Sequence, residues 1–185
     1  MGFHRNFHGR YPARYPGEMD GANHVAGTIP EFGRLLAPVL SDLAPTDRPA
    51  FLARLERIAA GRYRQWATEA PQWSEVLLAC AAAEDEIADR VMDCFPVDDA
   101  TAASLDSRLP LATELYQSAF ASLPVHEQLR IQAAAELQGA NAWRSVSTLP
   151  GLSAHILSQL ARCSELEERS SASVSDLLTG GPVPR

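Results

Sequence analysis

The stretch QWSEVLLACAAAEDEIADRVMDCF, residues 72–95, decides the fold class. Leu77, Cys80, Glu84, Ile87, Val91 and Cys94 recur at intervals of three and four, the spacing of a single helix face. No Gly or Pro interrupts the run, Ala is frequent, and Pro71 and Pro96 bracket it. The spacing predicts a helix from about Gln72 to Phe95, buried along one side.

Working outward, the same periodicity repeats. Phe32, Leu35, Leu36, Val39, Leu40 and Leu43 form a stripe that Pro38 should divide, and Thr28-Ile29-Pro30-Glu31 before it reads as a capping box. Thr46-Asp47-Arg48-Pro49 restarts the chain into a stripe running from Phe51 to Trp66. Further helices read from about Leu111 to Ser122, from Val125 to Val146 and from Leu152 to Glu168. The linker VDDATAASLDSRLP, residues 97–110, has room for one short helical turn. Ala and Leu greatly outnumber Val and Ile, which favours helix over sheet. The expectation is an all-α protein, a single bundle of five or six helices over residues 29–170. A flexible extension (1–28) and a flexible tail (171–185) would flank it. AAAEDEIA at 81–88 echoes AAAELQGA at 133–140, which would make the core two pseudo-repeated helix pairs.

Composition excludes several classes. All 16 cations are Arg, so a Schiff-base Lys is ruled out. Against 23 acids the net charge is −7, which argues against a nucleic-acid binder, although GFHRNFHGRYPARYPG (residues 2–17) is locally basic and aromatic. The longest apolar run, Val76 to Ala83, is far too short to cross a membrane. Cys80, Cys94 and Cys163 are odd in number and sit in apolar helical stretches, as small buried hydrophobes of a reducing compartment do. With no apolar signal segment, a cytoplasmic protein is expected. Charge is also uneven: residues 48–66 carry five Arg against Glu56, a net of +4, whereas residues 69–114 carry eleven acids against two Arg, a net of −9. Neighbouring helices should bring these fields together.

Glu84 shares the heptad position of Leu77 and Val91. A carboxylate in an apolar seam must be paired, hydrogen-bonded or bound to metal. Glu136 holds a comparable place between Leu129, Ala133, Ala140 and Trp143. Two explanations follow. Each Glu pairs with an Arg of a neighbouring helix, with Arg62, Arg130 and Arg144 the candidates. Alternatively, Glu84 and Glu136 are metal ligands, with Tyr63, Tyr116 or His126 nearby, since inward carboxylates on facing helices build dinuclear metal sites. In that respect the arrangement resembles ferritin-like bundles in architecture only. Their Glu-x-x-His pattern is missing, because Ile87 and Gly139 stand where the His would be. Glu86-x-x-Asp89 resembles the Mg-binding motif of helical nucleotide hydrolases, without its upstream Glu-x-x-Glu. No nucleophile elbow, P-loop, dinucleotide fingerprint or zinc-protease motif occurs. No cofactor is specified.

Three functions follow as expectations. The first is an accessory or interaction module without its own catalytic site, engaging a protein partner or a second copy of the chain. The second is a small carboxylate-dependent metal enzyme using Glu84 and Glu136. The third is a bundle that binds a small molecule in an apolar cavity oriented by the same carboxylates.

Overall fold

The computed structural model describes residues 28–180 and is all-helical, with no strand among the described residues. The described part begins with two short helices, α1 (Phe32–Leu35) and α2 (Ala37–Leu40), divided where Pro38 was expected to break the stripe. The four long helices are α3 (Arg48–Glu69), α4 (Ser74–Cys94), α7 (Val125–Val146) and α8 (Ala154–Leu178). A single 3-10 turn, Pro71–Trp73, joins α3 to α4. The linker and the segment after it form α5 (Asp99–Asp106) and α6 (Leu109–Ser118). Asp98 caps α5 by accepting from the Thr101 amide at 2.7 Å.

α3 packs along α4, α7 packs along α8, and α4 packs on α8. The four long helices therefore form a ring closed on three sides. α3 and α7 barely touch, and the short helices α1, α2 and α6 lie across that fourth side. The most extensive helix pairings are the two hairpins α3–α4 and α7–α8. Trp66, Tyr63 and Leu77 are fully buried in one core cluster, and Trp143, Ile87 and Cys163 in another. Cys80 is buried too, while Cys94 is only partly so. The expected charge match is present: Arg57 pairs with Asp85 and Asp89, Arg64 with Asp85, and Arg54 with Asp106.

Two segments differ from the sequence expectation. α8 continues past Glu168 to Leu178, so residues 171–178 belong to the bundle and not to a tail. The Ser-rich composition there looks disordered, yet Ser170, Ser171, Val174 and Leu177 keep the helical repeat and are buried. Their smallness lets α8 close on α7, where Ser171 Oγ donates to the Ala133 carbonyl at 2.7 Å. The capping box at residues 28–31 does not form. Instead the Gln138 side chain of α7 caps α1 from across the bundle: Phe32 N–H donates to its Oε1 at 2.8 Å, and its Nε2 donates to the Pro30 carbonyl at 2.9 Å. The expected flexible extension falls, apart from Thr28, outside the described residues. Among the described residues no helix is long and apolar enough to cross a membrane.

Because Gln138 satisfies a helix end that the local sequence leaves open, Gln138→Ala should cost about 1–2 kcal/mol in urea unfolding. Thr28→Ala should stay within about 0.5 kcal/mol of the wild type.

Candidate metal centre

Each long helix delivers one glutamate to the middle of the ring: Glu56 from α3, Glu84 from α4, Glu136 from α7 and Glu167 from α8. Glu84 and Glu136 are each 1% exposed and Glu167 2%, while Glu56 is partly buried at the open side. Carboxylate oxygens of Glu56, Glu84 and Glu167 lie within 4.8 Å of one another. The two glutamates singled out from sequence thus do face the same interior, joined by two more.

Hydrogen bonds hold the fourth in place. Glu136 Oε1 accepts from the Tyr63 hydroxyl at 2.7 Å and from Gln132 Nε2. Gln132 in turn accepts from the Tyr116 hydroxyl at 2.7 Å. Glu167 Oε1 accepts from Trp143 Nε1 at 3.0 Å. Glu84 Oε1 and Glu136 Oε2 are buried and no hydroxyl, amide or guanidinium donor of the described residues reaches them; only the neighbouring carboxyls, Glu84 and Glu136 themselves, come within hydrogen-bond reach of each other.

The arginine explanation is overturned. Arg62 stacks over the Trp66 ring at 5.0 Å and donates to Gln128. Arg130 pairs with Glu127 at 2.9 Å, and Arg144 pairs with Glu168 on the surface. None of the ion pairs among the described residues includes any of the four central carboxylates. His126 does not join the site: it is exposed and sits 3.6 Å from Glu127 at the start of α7. Tyr63 and Tyr116 do join it. The Glu86-x-x-Asp89 motif lies on the outer face of α4, where Arg90 pairs with Glu86 at 2.7 Å and Arg57 pairs with Asp89.

Gly139 has a specific task here. A Cβ built on it would stand 2.5 Å from Glu167 Oε1 and 2.8 Å from Glu167 Cδ. The position that lacks a histidine on α7 is the space into which α8 inserts its carboxylate.

No family model, curated protein or solved structure matches the chain. The site is therefore read from its own chemistry.

That chemistry is dominated by charge. At an effective dielectric of about 20, two carboxylates 4.8 Å apart repel by about 3.5 kcal/mol, so a fully ionised trio carries about 10 kcal/mol of repulsion. A whole domain is stable by only about 5–15 kcal/mol. The charges must therefore be cancelled, by protons or by cations. Without a cation the protons stay: burial, then the nearby Glu136 charge, pushes the Glu56 carboxyl up to about 8, against a Glu84 hydrogen bond that lowers it. Burial likewise holds Glu84 and Glu167 well above the ordinary carboxylate range, reinforced by the charges of Glu136 and Glu56 respectively. Burial beside Glu136 keeps Tyr63 protonated as well.

A pH dependence follows. Between pH 4.5 and about 8 the folded chain keeps a proton on Glu56 that the unfolded chain releases. Folded binds more protons than unfolded, so stability falls as pH rises. This contribution is complete below the ordinary value of 4.5 and is lost as pH passes about 8. Asp85 and Glu86, whose arginine partners hold them below the ordinary range, act oppositely but only in acid. In chelator-treated protein, the melting temperature should peak near pH 5 and decline to pH 8. A melting temperature that rises over that interval would contradict the protonated cluster.

Proposed function

We propose that the bundle is a metal-binding protein whose four central glutamates hold hard divalent cations such as Mn2+ or Fe2+. The observation that carries this is the pair of buried oxygens, Glu84 Oε1 and Glu136 Oε2, that no hydroxyl, amide or guanidinium donor of the described residues reaches, inside a carboxylate cluster that no arginine among those residues neutralises. Oxygen-only donor sets suit Mg2+, Ca2+ and Mn2+, and four carboxylate charges balance two divalent ions. When bound, such ions supply Lewis acidity and a place for an exogenous ligand.

The chain's own residues divide the remaining work. Glu56, Glu84 and Glu167 converge as ligands. Glu136 offers Oε2 while Tyr63 and Gln132 fix its other oxygen, and Trp143 fixes the orientation of Glu167. Such hydrogen-bonded supports set ligand direction and metal affinity. Glu56, at the open side, is the carboxylate most accessible to solvent for exchanging a proton. The interaction-module reading would rest on an exposed apolar face. Of the large exposed apolar residues among those described, Ile29 precedes α1, and Leu78, Leu111, Leu137 and Leu157 lie one each on α4, α6, α7 and α8, so they give that reading no single helix face.

Titration calorimetry with Mn2+ on chelator-treated full-length protein tests the proposal. Binding should tighten from pH 6 to pH 8 as protons are displaced. At a hundredfold excess over Kd the melting temperature should rise by about 5–10 °C. Glu84→Gln and Glu167→Gln should each weaken binding at least tenfold while the metal-free protein stays folded. Absence of binding and of any melting shift with Mn2+, Fe2+ and Mg2+ alike sinks the proposal.

Gly139→Ala separates the site from the fold. Helix propensity alone would favour Ala by about 1 kcal/mol. The clash with the Glu167 carboxylate should instead weaken Mn2+ binding tenfold or more, read by the same titration.

A further inference from the structure

The pocket in front of the carboxylates has a composition that selects its occupant. It lies in the gap between α3 and α7 and has a volume of about 220 Å3. That is roughly one and a half times the ~150 Å3 cavity that admits a single benzene. Leu52 and Leu55 of α3 and Ala135 and Trp143 of α7 form two walls, and Phe32 and Leu36 close a third from the N-terminal helices. Glu56, Glu136 and Glu167 form the floor, with Glu84 behind them.

Apart from the floor carboxylates, the polar side chains around this space are already engaged. The Tyr116 hydroxyl donates to Gln132, Gln132 donates to Glu136, and Gln138 spends both ends of its amide on α1. Among the described residues no Arg or His lines the pocket, and the chain has no Lys. An anionic head would find no donor and would face carboxylates. An ammonium head would find its partners taken once cations occupy the floor.

We propose that this pocket binds an uncharged, largely hydrocarbon molecule about the size of two fused rings, one end resting on the carboxylate cluster. The exclusion of amines rests on the metal-centre reading; the size and apolarity of the site do not. A molecule seated there touches Glu56, Glu136 and Glu167 directly, which makes it the substrate class of the centre. Ala135 and Ala142, where the α7 wall is small, set the length that fits.

The test is titration of naphthalene, 2-naphthoate and 2-naphthylmethylammonium into the full chain, with and without Mn2+, followed by the fluorescence of pocket-lining Trp143. Mn2+ affinity is measured separately, and thermal unfolding checks the fold of every variant. Naphthalene should bind with or without Mn2+, and in the Mn2+-loaded protein both charged analogues should bind at least tenfold more weakly. Ala135→Leu and Ala142→Leu, made independently so that one suffices if the other misfolds, should each weaken naphthalene binding tenfold. The proposal is overturned if naphthalene does not bind, if folded variants bind it as the wild type does, or if the Mn2+-loaded protein takes the ammonium in preference to naphthalene. Naphthalene binding in a chain that takes up no Mn2+ would keep the apolar pocket and remove only the metal centre.

Discussion

Repulsion among Glu56, Glu84, Glu136 and Glu167 sets the terms for the rest of the bundle. Four acids brought from four helices into a water-poor interior destabilise the chain unless each charge is cancelled. Surface acids on the same helices are matched locally: Asp85 to Arg57 and Arg64, Glu86 to Arg90, Glu168 to Arg144. The arginines that might have reached inward are held elsewhere, Arg62 by Trp66 and Gln128. The chain thus pairs many of its surface acids with arginine and leaves the neutralisation of its interior to protons or to bound cations.

The shell around the acids is built to hold them still without cancelling them. Tyr63, Gln132 and Trp143 donate hydrogen bonds, which orient a carboxylate and leave its charge intact. Small residues supply the room. Gly139 admits the Glu167 carboxylate, and Ser164 and Ser171 bond to the α7 backbone at Ala140 and Ala133, which brings α8 within reach. The two fully buried tryptophans, each worth about 3–5 kcal/mol against Ala, counter the cost of the acids from either side of the cluster. Strong apolar packing and unneutralised acids occupy adjacent layers of one bundle.

How much of this was legible in the sequence depends on which physical signal each residue carried. The helices showed through periodicity, and α7 was legible to its ends, because Pro124 precedes it and its apolar repeat is unbroken. Glu84 stood out because its neighbours at three and four residues are apolar, and Glu136 because Leu129, Ala133, Ala140 and Trp143 flank it at helical spacing. Glu56 did not, since it lies among five arginines and passed for partial neutralisation of a basic face. Its spacing of seven from Tyr63 was the available signal. Glu167 was hidden in the acidic run Glu165–Glu168, which reads as a solvated helix end, although it follows Cys163 by four residues and Leu160 by seven. The Gln138 cap on α1 could not be seen at all: it links residues more than a hundred apart, and no local pattern encodes such a bond.

The open side of the ring is the remaining consequence. A bundle packed equally on all four sides would bury its acids beyond reach, since close-packed helices leave no passage for an ion or a ligand. Here α3 and α7 stay apart, and the short helices that lie across the gap are held by Phe32, Leu36 and Val39 and by the Gln138 side chain. They stand over the carboxylate most accessible to solvent, Glu56. The same gap that weakens the fold gives the interior charge its route to water. Stability and access are therefore set against each other at one seam, between α3 and α7, and the chain gives up packing there to keep the acids within reach.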